Sequence, residues 1–167
     1  GYLGYKNARF GKIESHEAVT AMSRELMLQA KEVAEDMGFT VLHMYVDCLF
    51  VQQEGFRKPS DFTLLMNAIE EKTGIPIALE GVFKWVAFLA SKRDARVPVP
   101  NQYFGAFQDG TLKYRGIELR RRDTTPWVRK IQLKALEVLA GANTPHEFAD
   151  HIPDAMALVE GAKRDLR

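Results

Sequence analysis

Asp47 is the residue of greatest chemical potential in this chain, set in the middle of the strongly β-prone run Val41 to Val51 (VLHMYVDCLFV). Side chains alternate faces along a strand. Leu42, Met44, Val46, Cys48 and Phe50 then form an apolar core side, and Asp47 projects from the other, beside Tyr45 and His43. A carboxylate in such a place needs a cation or hydrogen-bond donors to offset its lost hydration. Two readings are open: a structural aspartate satisfied by an arginine or backbone donor, or a site residue. A second carboxylate, Glu80, sits near the start of another expected strand, with Lys84 on the same face four residues later. Carboxylates on neighbouring strands facing a basic groove suit a hard, oxygen-seeking cation such as Mg²⁺. Zinc is not indicated, because His16, His43, His146 and His151 lack ligand spacing and Cys48 is the single cysteine. The sequence also has no glycine-rich phosphate loop and no serine-nucleophile elbow.

A second feature is positive charge. Between Lys113 and Lys130 lie seven basic residues (Lys113, Arg115, Arg120, Arg121, Arg122, Arg129, Lys130) and two acids, Glu118 and Asp123. That segment carries +5, so the formal net charge of +1 leaves −4 for the remainder. Five of the seven are arginines, whose planar fork matches phosphate oxygens. A solvated strand edge, kept basic to discourage edge-to-edge pairing, is the competing reading.

The elements that must position these groups follow from composition and pattern. At 167 residues and 46% hydrophobic, the chain can bury a proper core, and its balanced charge excludes a disordered tail. One cysteine excludes a disulfide scaffold and fits a reducing, cytoplasmic setting. No apolar run reaches the roughly 20 residues that span a bilayer, and Gly1-Tyr2-Leu3-Gly4 does not read as a signal peptide, so no membrane role is expected.

Val19, Met22, Leu26, Ala30, Val33 and Met37 recur at helical spacing, predicting a helix over Ser15 to Met37 closed by Gly38, with the methionine stripe in its core. Ser60 is a plausible N-cap for a shorter helix to Lys72, closed by Gly74. Ile75 to Leu79 and Val82 to Leu89 read as extended, and Lys92 to Pro100 as a basic loop. Tyr103 to Phe107 and Leu112 to Leu119 flank an Asp-Gly hairpin turn at Asp109-Gly110. Thr125-Pro126 predicts a helix start, Thr144-Pro145-His146-Glu147 a capping box, and Pro153 could open a last helix. Trp85 and Trp127 are expected as core or interface aromatics, and Cys48 as an inert buried thiol.

These segments, in order, resemble the C-terminal half of an archaeal family B DNA polymerase. Gly1 to Phe10 is similar to the tail of that family's fingers motif, and Ser15-His16-Glu17-Ala18-Val19-Thr20-Ala21 to the start of its long palm helix. Glu80-Gly81-Val82-Phe83-Lys84 resembles its Glu-Gly-Phe-Tyr-Lys segment. Arg115-Gly116-Ile117-Glu118-Leu119-Arg120-Arg121-Arg122-Asp123 resembles the hand-over from palm to thumb. The resemblance weakens after about Leu139.

It implies an α+β fold: an antiparallel palm-type sheet backed by helices over residues 1–123, followed by the start of a helical thumb over 124–167. It also implies template-directed nucleotidyl transfer with Mg²⁺ or Mn²⁺ in the complete enzyme, acting on primer–template DNA and dNTP. The N-terminal polymerase portion would be a required partner, and the fragment alone would be inactive. Aligned on the family's Asp-Thr-Asp, Tyr45 falls at the first acid and Asp47 at the second, so the resemblance assigns Asp47 the catalytic metal-binding role and Glu80 a peripheral one. Lys84, Tyr103, Arg115, Arg120, Arg121 and Arg122 become candidate DNA contacts, with Asn101 replacing the lysine of a Lys-x-Tyr element. The replacements at Tyr45 and Asn101 leave open a second possibility, a catalytically degenerate relative that binds primer–template without chemistry.

Overall fold

The computed structural model describes residues 2–5 and 7–165. It is an α+β fold of four helices and two small antiparallel sheets, dividing between Leu79 and Glu80 into two compact units.

In the first unit a 3₁₀ turn (Tyr2–Gly4) precedes α1 (Ile13–Asp36), which ends as the sequence predicts. The Gly38 N–H donates to the Glu35 carbonyl and the Phe39 N–H to the Ala34 carbonyl, a Schellman closure that satisfies two terminal carbonyls. The same turn drives Phe39 into the unit, where its ring meets Phe56 and Phe62 at 5.3 and 6.0 Å. Of the expected stripe only Ala30 is buried, beside Ala34, which lay outside it. Leu26 and Val33 are half-buried, and Val19, Met22 and Met37 are exposed, so the methionines expected in the core are not there. Helical periodicity marks a face, and tertiary contact decides how much of that face is covered.

The run after Gly38 is not one strand. The chain reverses at Val46-Asp47, so β1 (Thr40–Tyr45) pairs with β2 (Cys48–Gln52) as a hairpin with a two-residue connection. Pairing Tyr45 with Cys48 and His43 with Phe50 puts those four on one face, with Met44 and Leu49 on the other. The expected face of Met44, Cys48 and Phe50 is thereby overturned, and Leu42 falls at a register shift with 47% of its surface exposed. Cys48 is half-buried, rather than enclosed, at the head of β2. A 3₁₀ turn (Pro59–Phe62) leads into α2 (Thr63–Thr73), which ends at Gly74 as expected. Its entry is held by Asp61, which accepts from the Arg57 and Lys58 N–H groups, instead of by Ser60. Ile75 to Leu79 joins no sheet.

The second unit is a sheet of order β3-β4-β5 (Phe83–Ala90, Pro98–Phe107, Leu112–Arg115) packed against α3 (Pro126–Ala140) and α4 (Pro145–Arg164). Its core gathers Trp85, Ala106, Ile117, Leu136, Leu139, Ala142 and Ala155. The Trp85 indole N–H donates to the Ala142 carbonyl at 3.2 Å, so the largest core side chain ties β3 to the turn between the helices. The expected core role of Trp85 holds. Trp127 is 36% exposed at the start of α3.

Helix starts are where the sequence predicts them. The Thr125 hydroxyl accepts from the Val128 N–H, and Thr144 from the Glu147 N–H. Pro153, expected to open a helix, lies inside α4. Proline removes one backbone bond, but the capping box has already started the helix, and buried Ala155 and Ala162 carry its axis past that point.

Glu147 completes the box by accepting from the Asn143 N–H at 2.9 Å. That bond, then the Thr144 hydroxyl, holds its carboxyl below the usual glutamate range. A depressed folded-state pKa stabilises above the unfolded value of about 4.3 and ceases to do so as pH falls through the folded value. Glu147→Gln should therefore lower the melting temperature at pH 7, with the difference from wild type shrinking as pH falls through and below the ordinary glutamate range, as followed by circular dichroism.

Candidate functional site

The sequence-predicted residues fall at two places. In the first unit, β1 and β2 hold Asp47 at the tip of their hairpin, second of the two connecting residues. Its carboxylate is solvent-exposed and makes no ion pair or hydrogen bond among the described residues. The expectation of an aspartate projecting from a strand interior is thus corrected: at a turn, its charge keeps its hydration. Tyr45 flanks the turn, its ring nearly parallel to His43 at 6.5 Å. The Cys48 thiol donates to the Tyr45 carbonyl at 3.0 Å across the same turn. Val46 occupies φ +54°, the one positive φ outside glycine among the described residues. Asp47 itself is the only turn-forming residue type in the run, which has no glycine, asparagine or proline to mark the reversal.

Among the described residues no three His, Cys, Asp or Glu side chains gather to hold a metal ion. Asp47 offers exposed oxygens of the kind a hard cation takes. Glu80 belongs to the second unit, precedes β3, and forms an ion pair with Lys113. Lys84, expected on the same face as Glu80 and as a DNA contact, donates to the Asn143 side-chain oxygen at 3.3 Å.

The second place is the junction from β5 to α3. Arg115 ends β5, opposite Tyr103. Gly116 follows at φ +65°, where a Cβ would lie 1.9 Å from the Asn101 carbonyl oxygen. The chain then makes a 3₁₀ turn, Glu118–Arg120, and is clamped onto α3. Gln132 donates to Glu118 at 3.3 Å, and the Arg129 guanidinium donates to the Arg121 carbonyl. The Glu118 carboxyl is held below its usual range, first by its own backbone N–H and then by Gln132. Arg121 grips Asp123 through two bonds of 3.1 and 2.7 Å, which lowers the aspartate and raises the guanidinium from their ordinary values. Arg115, Arg120 and Arg122 are exposed and enter no ion pair among the described residues.

The +5 segment therefore divides: Arg121 and Arg129 shape the turn, and Arg115, Arg120 and Arg122 remain open to an anion. Tyr103, expected as a DNA contact, is buried with 5% exposure, its ring packed against Phe88. Asn101 is exposed on β4 and contributes its backbone oxygen to the close approach at Gly116. Sequence reasoning missed Val46, Gly116 and the Lys113 partner of Glu80. Of these, only the glycine carries a signal, standing between a β run and a turn.

No family model matches the chain. It is 29% identical over 99% of its length to a DNA polymerase of Archaeoglobus fulgidus. It is 32% identical over 70% to DNA polymerase 2 of Saccharolobus solfataricus, and 27% identical over its whole length to DNA polymerase 2 of Aeropyrum pernix. It spans 17–20% of the length of these relatives. With matches that run along the whole chain, through the Asp47 hairpin and the arginine junction alike, the chain is homologous to a segment of the archaeal DNA polymerases.

Proposed function

We propose that the chain is the C-terminal palm and the beginning of the thumb of a family B, DNA-directed DNA polymerase, with residues 1–123 as palm and 124–167 as thumb. The observation that carries this reading is Asp47, a solvent-exposed carboxylate without a partner among the described residues, at the tip of a two-residue hairpin. In the complete enzyme the Asp47 carboxylate would be one oxygen ligand of a divalent cation, Mg²⁺ or Mn²⁺, which would supply Lewis-acid activation of the primer 3′-hydroxyl and charge stabilisation for the leaving pyrophosphate. Other ligands come from the rest of the polymerase, together with the dNTP site. The chain's own contribution is to hold one carboxylate outward and to present Arg115, Arg120 and Arg122 to the primer–template backbone.

The test is primer extension by the complete protein that carries this segment. Template-directed extension should require Mg²⁺ or Mn²⁺ and stop on chelation. Duplex binding with no extension under any divalent cation would instead establish the DNA-binding relative.

The arginines give a separate expectation. Each neutralised phosphate contributes about 0.9 to the slope of log affinity against log salt. Replacing Arg115, Arg120 and Arg122 with alanine in the complete protein should lower that slope by up to about 3 in anisotropy titrations. Arg121→Ala, whose guanidinium is held by Asp123, should leave the slope near wild type.

A further inference from the structure

Val46 sits at φ +54° with a branched Cβ, a combination that crowds the following carbonyl and is ordinarily left to glycine, asparagine or aspartate. Burial does not compensate the strain, since Val46 is 69% exposed. Such a residue persists only where its surroundings over-determine it. Here the surroundings are visible. The ladder pairs Tyr45 with Cys48 and leaves two residues to connect the strands, and the Cys48 thiol closes the same turn onto the Tyr45 carbonyl. A two-residue connection of this hand demands positive φ at its first position, whatever residue stands there.

Glycine would meet that demand without strain, but also without restriction. It would let the turn pass between primed forms that aim residue 47 in different directions. A β-branched residue removes most of those alternatives, because few backbone wells remain open to it. We infer that Val46 is a positioning residue, a strained stiffener of the turn that presents the Asp47 carboxylate to a divalent cation in one direction. This rests on the polymerase reading of Asp47 given above.

The inference carries a signature that ordinary structural damage does not produce: relieving the strain should help folding and harm metal binding. The experiment uses the complete protein with Val46→Gly, Val46→Ile and Asp47→Asn. Mn²⁺ affinity is read from the electron paramagnetic resonance of free Mn²⁺, stability from thermal melts, and extension rate against Mg²⁺ concentration.

Val46→Gly should weaken Mn²⁺ binding and raise the half-saturating Mg²⁺ concentration roughly two- to fivefold, the scale of the backbone freedom that glycine restores. Its melting temperature should be no lower than wild type and its primer–template affinity unchanged, and Val46→Ile should keep wild-type values throughout. Unchanged metal dependence in Val46→Gly overturns the inference, as does a loss of affinity accompanied by a lower melting temperature. Wild-type Mn²⁺ binding that Asp47→Asn abolishes and Val46→Gly leaves intact removes the role of Val46 alone. A wild type that neither binds Mn²⁺ nor extends primers removes the reading of Asp47, and this one with it.

Discussion

Asp47→Asn in the complete polymerase should abolish primer extension while leaving melting temperature and primer–template affinity at wild-type values. The substitution keeps size and shape and removes one charge. Because Asp47 is exposed at the hairpin tip and holds no other described group, folding loses nothing when that charge goes. The expected fall in kcat is about 10³-fold or more, equivalent to about 4 kcal/mol of transition-state stabilisation. Steady-state extension on a primed template, beside a melt and a binding isotherm on the same preparation, measures all three quantities. A fall of less than about tenfold in kcat would mean that the reacting centre lies elsewhere. A fall shared with the melting temperature would mean that Asp47 supports the hairpin and not the chemistry.

The second large effect concerns stability. Gly116→Ala should destabilise the second unit by more than any surface substitution could. Two separate costs meet at this position. An L-side chain at φ +65° costs about 1–2 kcal/mol. The new Cβ would also stand 1.9 Å from the Asn101 carbonyl oxygen, a backbone atom that no rotamer change can move aside. β4 and the end of β5 must then separate, which disturbs the register between Tyr103 and Arg115 and the approach of Ile117 to the core. A total of about 4 kcal/mol or more is expected, against the 5–15 kcal/mol that typically holds a domain.

Gly110→Ala is the matched control. Gly110 has φ +87° but nothing within 4 Å of the added carbon, so it incurs the conformational cost alone. Thermal or urea melts of the two variants separate the terms. Equal losses would show that the close approach to Asn101 relaxes freely. Because Gly116 separates Arg115 from Arg120 and Arg122, a milder substitution there should also weaken DNA binding by misplacing these three cations.

How much of this could be read from residues alone depends on how local the determining interaction is. The helix starts at Thr125-Pro126 and Thr144 to Glu147 are fixed by bonds spanning three or four positions, and the structure contains them. The end of α1 at Gly38 and the Asp109-Gly110 hairpin are equally local. Pro153 misleads for the complementary reason. Its local preference favours a helix start, but the packing of α4 carries the helix through it.

The candidate site divides along the same line. The chemical type of Asp47 and the basic excess of 113–130 are properties of composition and order, so the sequence by itself determined which groups could meet a cation or a phosphate. Where those groups stand was decided only by tertiary structure. A two-residue reversal turned an expected strand interior into a hairpin tip and put Asp47 into solvent. An ion pair spanning 33 positions joined Glu80 to Lys113. The ring of Tyr103 went inward against Phe88. Arg121 was spent on Asp123 while Arg120 and Arg122 stayed open. The Glu80 and Tyr103 outcomes follow from contacts between residues far apart in sequence, the Asp47 outcome from strand pairing around a turn without glycine or asparagine, and only the Arg121–Asp123 pair from residues two positions apart. Local chemistry set the inventory, and the long-range burial of apolar surface set its geometry.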